Sequence, residues 1–145
     1  MASSHFIEYC PRSQDRSLES APVISSDDFG FCWAYDLPVI GQPLPWPRLF
    51  KRLCDECGFT ADQVDQLIFT QISKSSIAIA AERCNVPLEK CHTIMQKWGY
   101  TGSACIPMAL DDAIELGKIK RGDLVVMISS GLGWNQAAAA IRWTM

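Results

Sequence analysis

The stretch WGYTGSACIPMALDDAIELGKIKRGDLVVMISSGLGWNQAAAAIRW, residues 98–143, contains the pattern that decides the fold. Residues 101–116 are rich in small side chains and helix-like in pattern, and Gly117 stands where such a helix would end. Continuous apolar strands such as LVVMIS are typical of a sheet that is covered on both faces. After the helix the pattern predicts a turn, a strand, a tight loop and a final strand, at residues 120–123, 124–129, 131–133 and 136–143.

The segment upstream of this stretch continues the alternation of helices and strands. Residues 47–57 carry apolar side chains at three- and four-residue intervals, which predicts an amphipathic helix, and Gly58 is placed for a helix end. The short apolar run QLIFTQ, residues 66–71, predicts a buried strand. A second helix is expected after Ser73 or Ser75. Its apolar residues share one face: Ile77, Ala80, Ala81 and Cys84.

Shorter patterns fill the intervals between these elements. Thr60 and Gln63 have the spacing of a capping box. Residues 87–90 predict a helical turn and residues 92–95 a short strand. Helices and strands that alternate in this way predict an α/β fold, layered α/β/α, while periodicity leaves the strand order open.

The first 46 residues differ from the rest of the chain. Repeated prolines break any long helix or central strand there, so we expect an irregular lead-in with a short strand near residues 31–35. The expected organisation is therefore a lead-in, residues 1–46, followed by one domain, residues 47–145.

Composition narrows the classes of partner. The chain has 145 residues, 48% of them hydrophobic, and a formal net charge of -3 from interspersed charges, with no basic run. Nucleic acid and membrane surfaces are therefore poor candidates. No apolar run approaches the roughly 20 residues that span a bilayer, and no signal-peptide pattern is present, so we expect a cytoplasmic protein. The chain has no P-loop, dinucleotide fingerprint or HExxH motif, and we expect no cofactor.

Seven cysteines offer one tempting pattern, Cys54-Asp55-Glu56-Cys57, because a CxxC can hold zinc or carry out redox chemistry. A zinc site would need two more ligands, and His5 and His92, the chain's two histidines, offer no matching pair. Both cysteines fall on the apolar stripe of the first helix, which favours packing. We expect no metal site, and a zinc assay separates the two interpretations.

Three ordered strings carry a resemblance to a known family. WGYTGSACIPMAL, residues 98–110, is similar to a YGNTSAASIP block of the 3-oxoacyl-carrier-protein synthase III family. GKIKRGDLV, residues 117–125, is similar to its GRIKPGDLV, and residues 130–143 stand in place of its glycine-rich loop and terminal strand. From about Pro47 to Arg142 the chain thus resembles the C-terminal half of that family. The resemblance implies a thiolase-like half with a mixed sheet.

The resemblance also implies where catalytic groups would lie. Family members use a cysteine nucleophile in the N-terminal half, and a His and an Asn that stabilise the enolate oxygen. The family's Pro-His-Gln-Ala-Asn string aligns with residues 69–73, so that Thr70 replaces the His, and Tyr100 replaces the Asn. By the same alignment the candidate substrate-binding residues are Gln71, Ser73, Gly131 and Gly133.

The chemistry of these replacements leaves two interpretations of the site open. Thr70 and Tyr100 carry hydroxyls that can donate to an oxyanion, but neither can act as a general base near neutral pH. They form either a hydroxyl-lined acyl site or a filled former active site. Cys105, near a helix start, and His92 are read as packing residues, and the loop at residues 131–133 as a hairpin turn or a substrate-contacting backbone.

Four accounts of function follow. The first is a half-enzyme that pairs with a thiolase N-terminal-half chain and performs acyl transfer or Claisen condensation on thioesters of acyl carrier protein or coenzyme A. The second is a non-catalytic partner or scaffold of a condensing enzyme, the third is a catalytically dead relic, and the fourth is metal or redox chemistry at the CxxC. We prefer the first, in which the chain alone is inactive. A monomer, a homodimer and a heterodimer all stay open.

Overall fold

The computed structural model describes residues 24–26, 31–36, 46–131 and 135–145. Within these ranges the chain forms five strands and four α-helices. The strands are β1 Ile24–Ser26, β2 Phe31–Asp36, β3 Gln66–Phe69, β4 Leu124–Ser130 and β5 Gln136–Arg142. The α-helices are α1 Trp46–Cys57, α2 Lys74–Arg83, α3 Met95–Trp98 and α4 Cys105–Glu115. Three short 3-10 turns lie at Ala61–Gln63, Leu88–Lys90 and Gly102–Ala104.

The five strands form one mixed sheet in the order β1-β2-β5-β4-β3. β3 and β4 are parallel, whereas β4 pairs with β5, β5 with β2 and β2 with β1 in antiparallel fashion. A parallel pair needs a crossover connection, and residues 70–123, which include α2 and α4, supply it. The expected α/β class and mixed sheet are confirmed.

Helices cover both faces of this sheet. Leu67 and Phe69 of β3 point into a core shared with α1 and α2, while Ile68 points into a second core shared with α4. Alternate residues of a strand face opposite sides, so one buried strand feeds two cores. All four residues of β3 are buried for this reason. The layered α/β/α arrangement is therefore confirmed.

Helix α1 buries the stripe that its sequence pattern predicts. Leu49, Phe50 and Leu53 are at most 3% exposed, and Cys54 and Cys57 pack against the same core from partly buried positions. Gly58 follows with φ 71°, the left-handed conformation that ends a helix. Full burial of a leucine side chain such as Leu53 contributes about 1.5–3 kcal/mol.

Most predicted elements lie within a residue or two of the observed bounds, but the strand predicted at residues 92–95 is wrong. Residues 91–94 are irregular, and Met95 begins the short helix α3. The backbone N–H of Ile94 donates to the side-chain oxygen Oε1 of Gln71 at 3.0 Å. A buried side chain thus takes the hydrogen bond that a neighbouring strand would have received.

The lead-in contributes to the sheet. β2 confirms the strand expected near residues 31–35, and it pairs along its full length with β5. The division into residues 1–46 and 47–145 stays a prediction. The loop expected at residues 131–133 falls largely outside the described residues, which stop at Gly131 and resume at Asn135. None of the described helices has both the length and the apolarity that a membrane span requires.

Candidate functional site

A pocket of about 540 Å³ lies where β3 and β4 end and α4 begins. Most of its wall is apolar, and its polar atoms come largely from hydroxyl groups and backbone. This edge of an α/β sheet is where ligands usually bind. The lining residues are Thr70, Tyr100, Gly102, Ser103, Cys105, Ile106, Met127, Ser129, Ser130, Gly131 and Ala137 to Ala139.

Thr70 lies at the carboxyl end of β3 and is 1% exposed. Its N–H donates to the Ile128 carbonyl at 3.0 Å, which extends the ladder between β3 and β4. Its Oγ1 accepts from the Ser130 N–H at 2.8 Å. A threonine hydroxyl has one donor and two acceptor sites, so this contact leaves its hydrogen free to donate.

Tyr100 belongs to the same pocket but is 55% exposed. It lies in the connection between α3 and α4, next to Gly99 with φ 65° and close to Gly102 with φ 62°. Side chains other than glycine rarely adopt this conformation, so the two glycines shape the turn that presents Tyr100. The structure therefore brings Thr70 and Tyr100 to one cavity, although the residues are 30 positions apart.

Among the residues predicted to contact substrate, Gly131 lines the pocket, whereas Gln71 and Ser73 do not. Gln71 is completely buried, and its Nε2 donates to the Phe69 carbonyl at 2.8 Å and to the His92 carbonyl at 3.3 Å. Ser73 caps α2, because its Oγ accepts from a backbone N–H in the first turn. In the structure both side chains form hydrogen bonds that stabilise the backbone next to the pocket. Gly133 lies outside the described residues.

Ser130 joins the pocket to the opposite face of the sheet. Its Oγ accepts from Trp46 Nε1 at 2.7 Å and from Gln136 Nε2 at 3.0 Å. The Trp46 ring also stacks on Phe69, with ring centroids 5.0 Å apart. Stacking and hydrogen bonding together fix the ends of β3 and β4, and hence the backbone N–H that binds Thr70.

Four of the described cysteines are free thiols in partly or fully buried positions: Cys54, Cys84, Cys91 and Cys105. Cys105 is 2% exposed and is the first residue of α4. Cys54 is a free thiol whose pKa burial raises to about 11, while Cys57 is disulfide-bonded, so the two are not joined to each other. Burial likewise raises the pKa of Cys84 and Cys91 to about 12. In the described part of the chain no three potential ligands are grouped to hold a metal ion.

His92 is buried, as expected for a packing residue, but it is also part of an ionic cluster. Its Nε2 lies 2.6 Å from Asp112 Oδ2, and its Nδ1 lies 3.0 Å from Lys118 Nζ. Lys97 donates to the other carboxylate oxygen of Asp112. The Lys97 ammonium, together with the His92 hydrogen bond, holds the pKa of Asp112 below its ordinary value. None of the four residues lines the pocket.

Sequence reasoning missed several of the pocket residues. Ser129 on β4 lies beside Thr70 on β3, because the preceding residues of the two strands, Ile128 and Phe69, are in register. Ala137 and Ala139 form the neighbouring wall on β5. Two serines that end an otherwise apolar strand, opposite a run of alanines, are the signal that could have identified this wall.

Comparison with known proteins gives the family context of this site. Residues 54–143 match the family described as 3-oxoacyl-[acyl-carrier-protein (ACP)] synthase III C terminal. The beta-ketoacyl-[acyl-carrier-protein] synthase III of Trichormus variabilis is 33% identical over 97 residues, 67% of this chain and 29% of that protein. The corresponding synthase III 1 of Halalkalibacterium halodurans is 39% identical over 89 residues, 61% of this chain and 28% of that protein.

Solved structures agree with these relatives. The 3-oxoacyl-[acyl-carrier-protein] synthase III of Aquifex aeolicus superposes with a TM-score of 0.66 at 35% identity, covering 68% of this chain and 32% of that one. The chain thus spans less than a third of the length of these relatives. The matched part includes β3, α2, α4, β4 and β5, and so all the elements that form the pocket.

Proposed function

Because the chain belongs to the 3-oxoacyl-[acyl-carrier-protein] synthase III family, through the family's C-terminal domain, we propose that it forms half of an acyl-thioester site. The other half, which carries the cysteine nucleophile, comes from a partner chain. Together they carry out acyl transfer or Claisen-type condensation on a thioester of acyl carrier protein or coenzyme A. Alone, the chain is inactive.

The observation that supports this proposal is the convergence of Thr70 and Tyr100 on one pocket. The sequence resemblance aligns these positions with the family's catalytic His and Asn. Their convergence beside the carboxyl ends of β3 and β4 is what a site kept in the same place would give, even though both side chains differ from those of the family. The apolar wall of Met127 and the β5 alanines suits an acyl chain.

The hydroxyls can perform one part of the family's chemistry. Thr70 accepts from the Ser130 N–H, and its own hydrogen remains available to a thioester oxygen. A fixed donor of this kind stabilises the negative charge that develops on the oxygen during attack or enolate formation. A threonine or tyrosine hydroxyl is a poor general base, so a base and a nucleophile have to come from the partner.

A second apolar stripe on α4 supports the need for a partner. Cys105, Ala109 and Ala113 face the sheet and are buried. Ile106 and Leu110 pack against the edge of the same core but stay partly exposed. An amphipathic helix of an isolated domain usually carries polar residues away from its core. Nearby Trp98 is 47% and Leu116 54% exposed, which adds to the apolar surface that a second half would cover.

One observation favours the alternative, a non-catalytic partner or relic. Thr70 is 1% exposed and hydrogen-bonded to the Ser130 N–H, as expected of a side chain that fills a former active site. On this account the domain would bind and stabilise an active condensing enzyme without contacting its substrate. The two proposals differ in whether the Thr70 hydroxyl contributes to thioester binding.

Binding of a non-hydrolysable analogue of acyl coenzyme A that keeps the carbonyl oxygen as a ketone, measured by calorimetry on the complex purified from the native host, separates them. For the half-enzyme, Thr70→Val removes a donor to the ligand oxygen, and we expect binding to weaken about tenfold. Tyr100→Phe tests the second hydroxyl in the same way. Thr93→Val makes the same chemical change at a half-buried threonine outside the pocket and should leave affinity unchanged. Equal affinity for Thr70→Val and the wild type would support the scaffold.

A further inference from the structure

Lys118, His92 and Asp112 form a chain of hydrogen bonds away from the pocket. Lys118 Nζ lies 3.0 Å from His92 Nδ1, and His92 Nε2 lies 2.6 Å from Asp112 Oδ2. The His92 and Asp112 side chains are 5% and 4% exposed, whereas Lys118 is exposed. These hydrogen bonds therefore connect a buried carboxylate, through a buried imidazole, to an amine at the surface.

The partners determine the direction of each hydrogen bond. A lysine ammonium only donates, so Nδ1 of His92 accepts from Lys118 with its lone pair. The neutral imidazole then carries its hydrogen on Nε2, which donates to the Asp112 carboxylate. This arrangement consists of an amine, a base within hydrogen-bond reach of it, and a carboxylate that orients the base. The same order of roles defines activated nucleophiles in general.

We propose that Lys118 is a self-acylation site that accepts the acyl group of an acyl thioester. His92 takes a proton from the Lys118 ammonium, and Asp112 stabilises the resulting imidazolium. The free amine attacks the thioester carbonyl, a C–N bond forms, and the C–S bond breaks. The thiolate leaves and takes the proton that the attacking nitrogen loses as the amide forms, and His92 releases to solvent the proton that it took from Lys118. The products are an amide on Lys118, a free thiol and one proton, so atoms and charge balance without an oxidant or cofactor.

Lys97 provides an internal comparison within the same cluster. It donates to the Asp112 carboxylate and lies over the Trp98 ring, 5.1 Å from the ring centroid, and neither of these partners is an imidazole base. A carboxylate with a lowered pKa is a poor base, so it keeps the proton on the Lys97 ammonium. Lys97 is 51% exposed, so reagent access alone does not separate it from Lys118. Lys120, two residues further on and also exposed, is a second comparison.

The inference takes its substrate class, an acyl thioester, from the proposed function, but it needs neither the pocket nor a partner chain, so either proposal can fail without the other. The isolated chain is incubated with acetyl coenzyme A at pH 7.5, digested at glutamate and analysed by mass spectrometry. Cleavage after Glu115 places Lys118 and Lys120 in one peptide and Lys97 in another. General-base assistance is worth roughly 100-fold or more, so we expect initial acetylation of Lys118 to exceed that of Lys97 and Lys120 by at least about tenfold.

His92→Gln retains a hydrogen-bonding side chain but removes the base. In the folded variant, acetylation of Lys118 should fall about tenfold or more, to the rate of Lys120, while Lys120 and Lys97 keep their wild-type rates. Equal acetylation of the three lysines in the wild type would overturn the proposal, as would an unchanged Lys118 rate in a folded His92→Gln variant. If the variant does not fold, the wild-type ratio alone decides.

Discussion

Gln71→Met should destabilise the domain strongly, because the Gln71 side chain satisfies three backbone groups in a buried position. Its Oε1 accepts from the Ile94 N–H at 3.0 Å, and its Nε2 donates to the carbonyls of Phe69 and His92. Methionine has a similar volume and leaves no large cavity, so the loss is one of hydrogen bonding. An unsatisfied buried N–H costs about 1–3 kcal/mol, and the two carbonyls add to this, which gives a total of roughly 3 kcal/mol.

Urea unfolding followed by circular dichroism measures this loss. With a slope of about 1.5 kcal/mol per molar urea, typical of a small domain, the midpoint should fall by about 2 M. Gln96→Met makes the same chemical change at an exposed position and should stay within about 0.5 kcal/mol of the wild type. A shift below 0.5 kcal/mol for Gln71→Met would refute the structural role. Gln71 would then return to the set of substrate-binding candidates.

Three further predictions test other contacts of the described residues. Trp46→Phe keeps the aromatic stack but loses the hydrogen bond to Ser130, and unfolding should become easier by about 1 kcal/mol in the same urea assay. The folded-state pKa of Asp112 is lowered, so its contribution to stability is full above the unfolded value of about 4 and is lost as pH falls through the folded value. Asp112→Asn should accordingly flatten the acid limb of the urea midpoint measured against pH. Cys54 and Cys84 have raised pKa values, so iodoacetamide at pH 8 should label them much more slowly in the folded protein than in urea.

Periodicity predicts most of the fold because each element buries a stripe or run of apolar residues. The stripe of α1 and the apolar run of β3 are local patterns, and the structure confirms both. The strand order depends on which edges meet in space. Only the structure shows that β5 lies between β2 and β4. The expected strand at residues 92–95 does not form, and local sequence gives no sign of this, because the residue that hydrogen-bonds to this segment, Gln71, is more than 20 residues away in sequence.

The candidate site is predictable where family resemblance supplies the positions. Thr70, Tyr100 and Gly131 line one pocket, as positions taken from the resemblance suggest. Resemblance does not show which side chains are used in hydrogen bonds that stabilise the fold. Gln71 and Ser73 are two such side chains, because both are hydrogen-bonded within the domain. The role of each of these residues toward a substrate stays a prediction.

Sequence patterns do not predict the ionic cluster of His92, Asp112, Lys97 and Lys118. Asp112 sits on the buried side of α4, a position where a charged residue contradicts the helical pattern. Such a residue signals a partner without identifying it. The other members of the cluster lie on both sides of α4 in the sequence, because His92 and Lys97 precede the helix and Lys118 follows it. Only the tertiary structure brings them together.

The native mass of the tagged chain, purified from its own host and analysed together with its companions, tests the central claim most directly. The account predicts a stoichiometric complex with a chain that bears a thiolase N-terminal half and its cysteine nucleophile. A stable monomer or self-dimer without such a companion would contradict the half-enzyme.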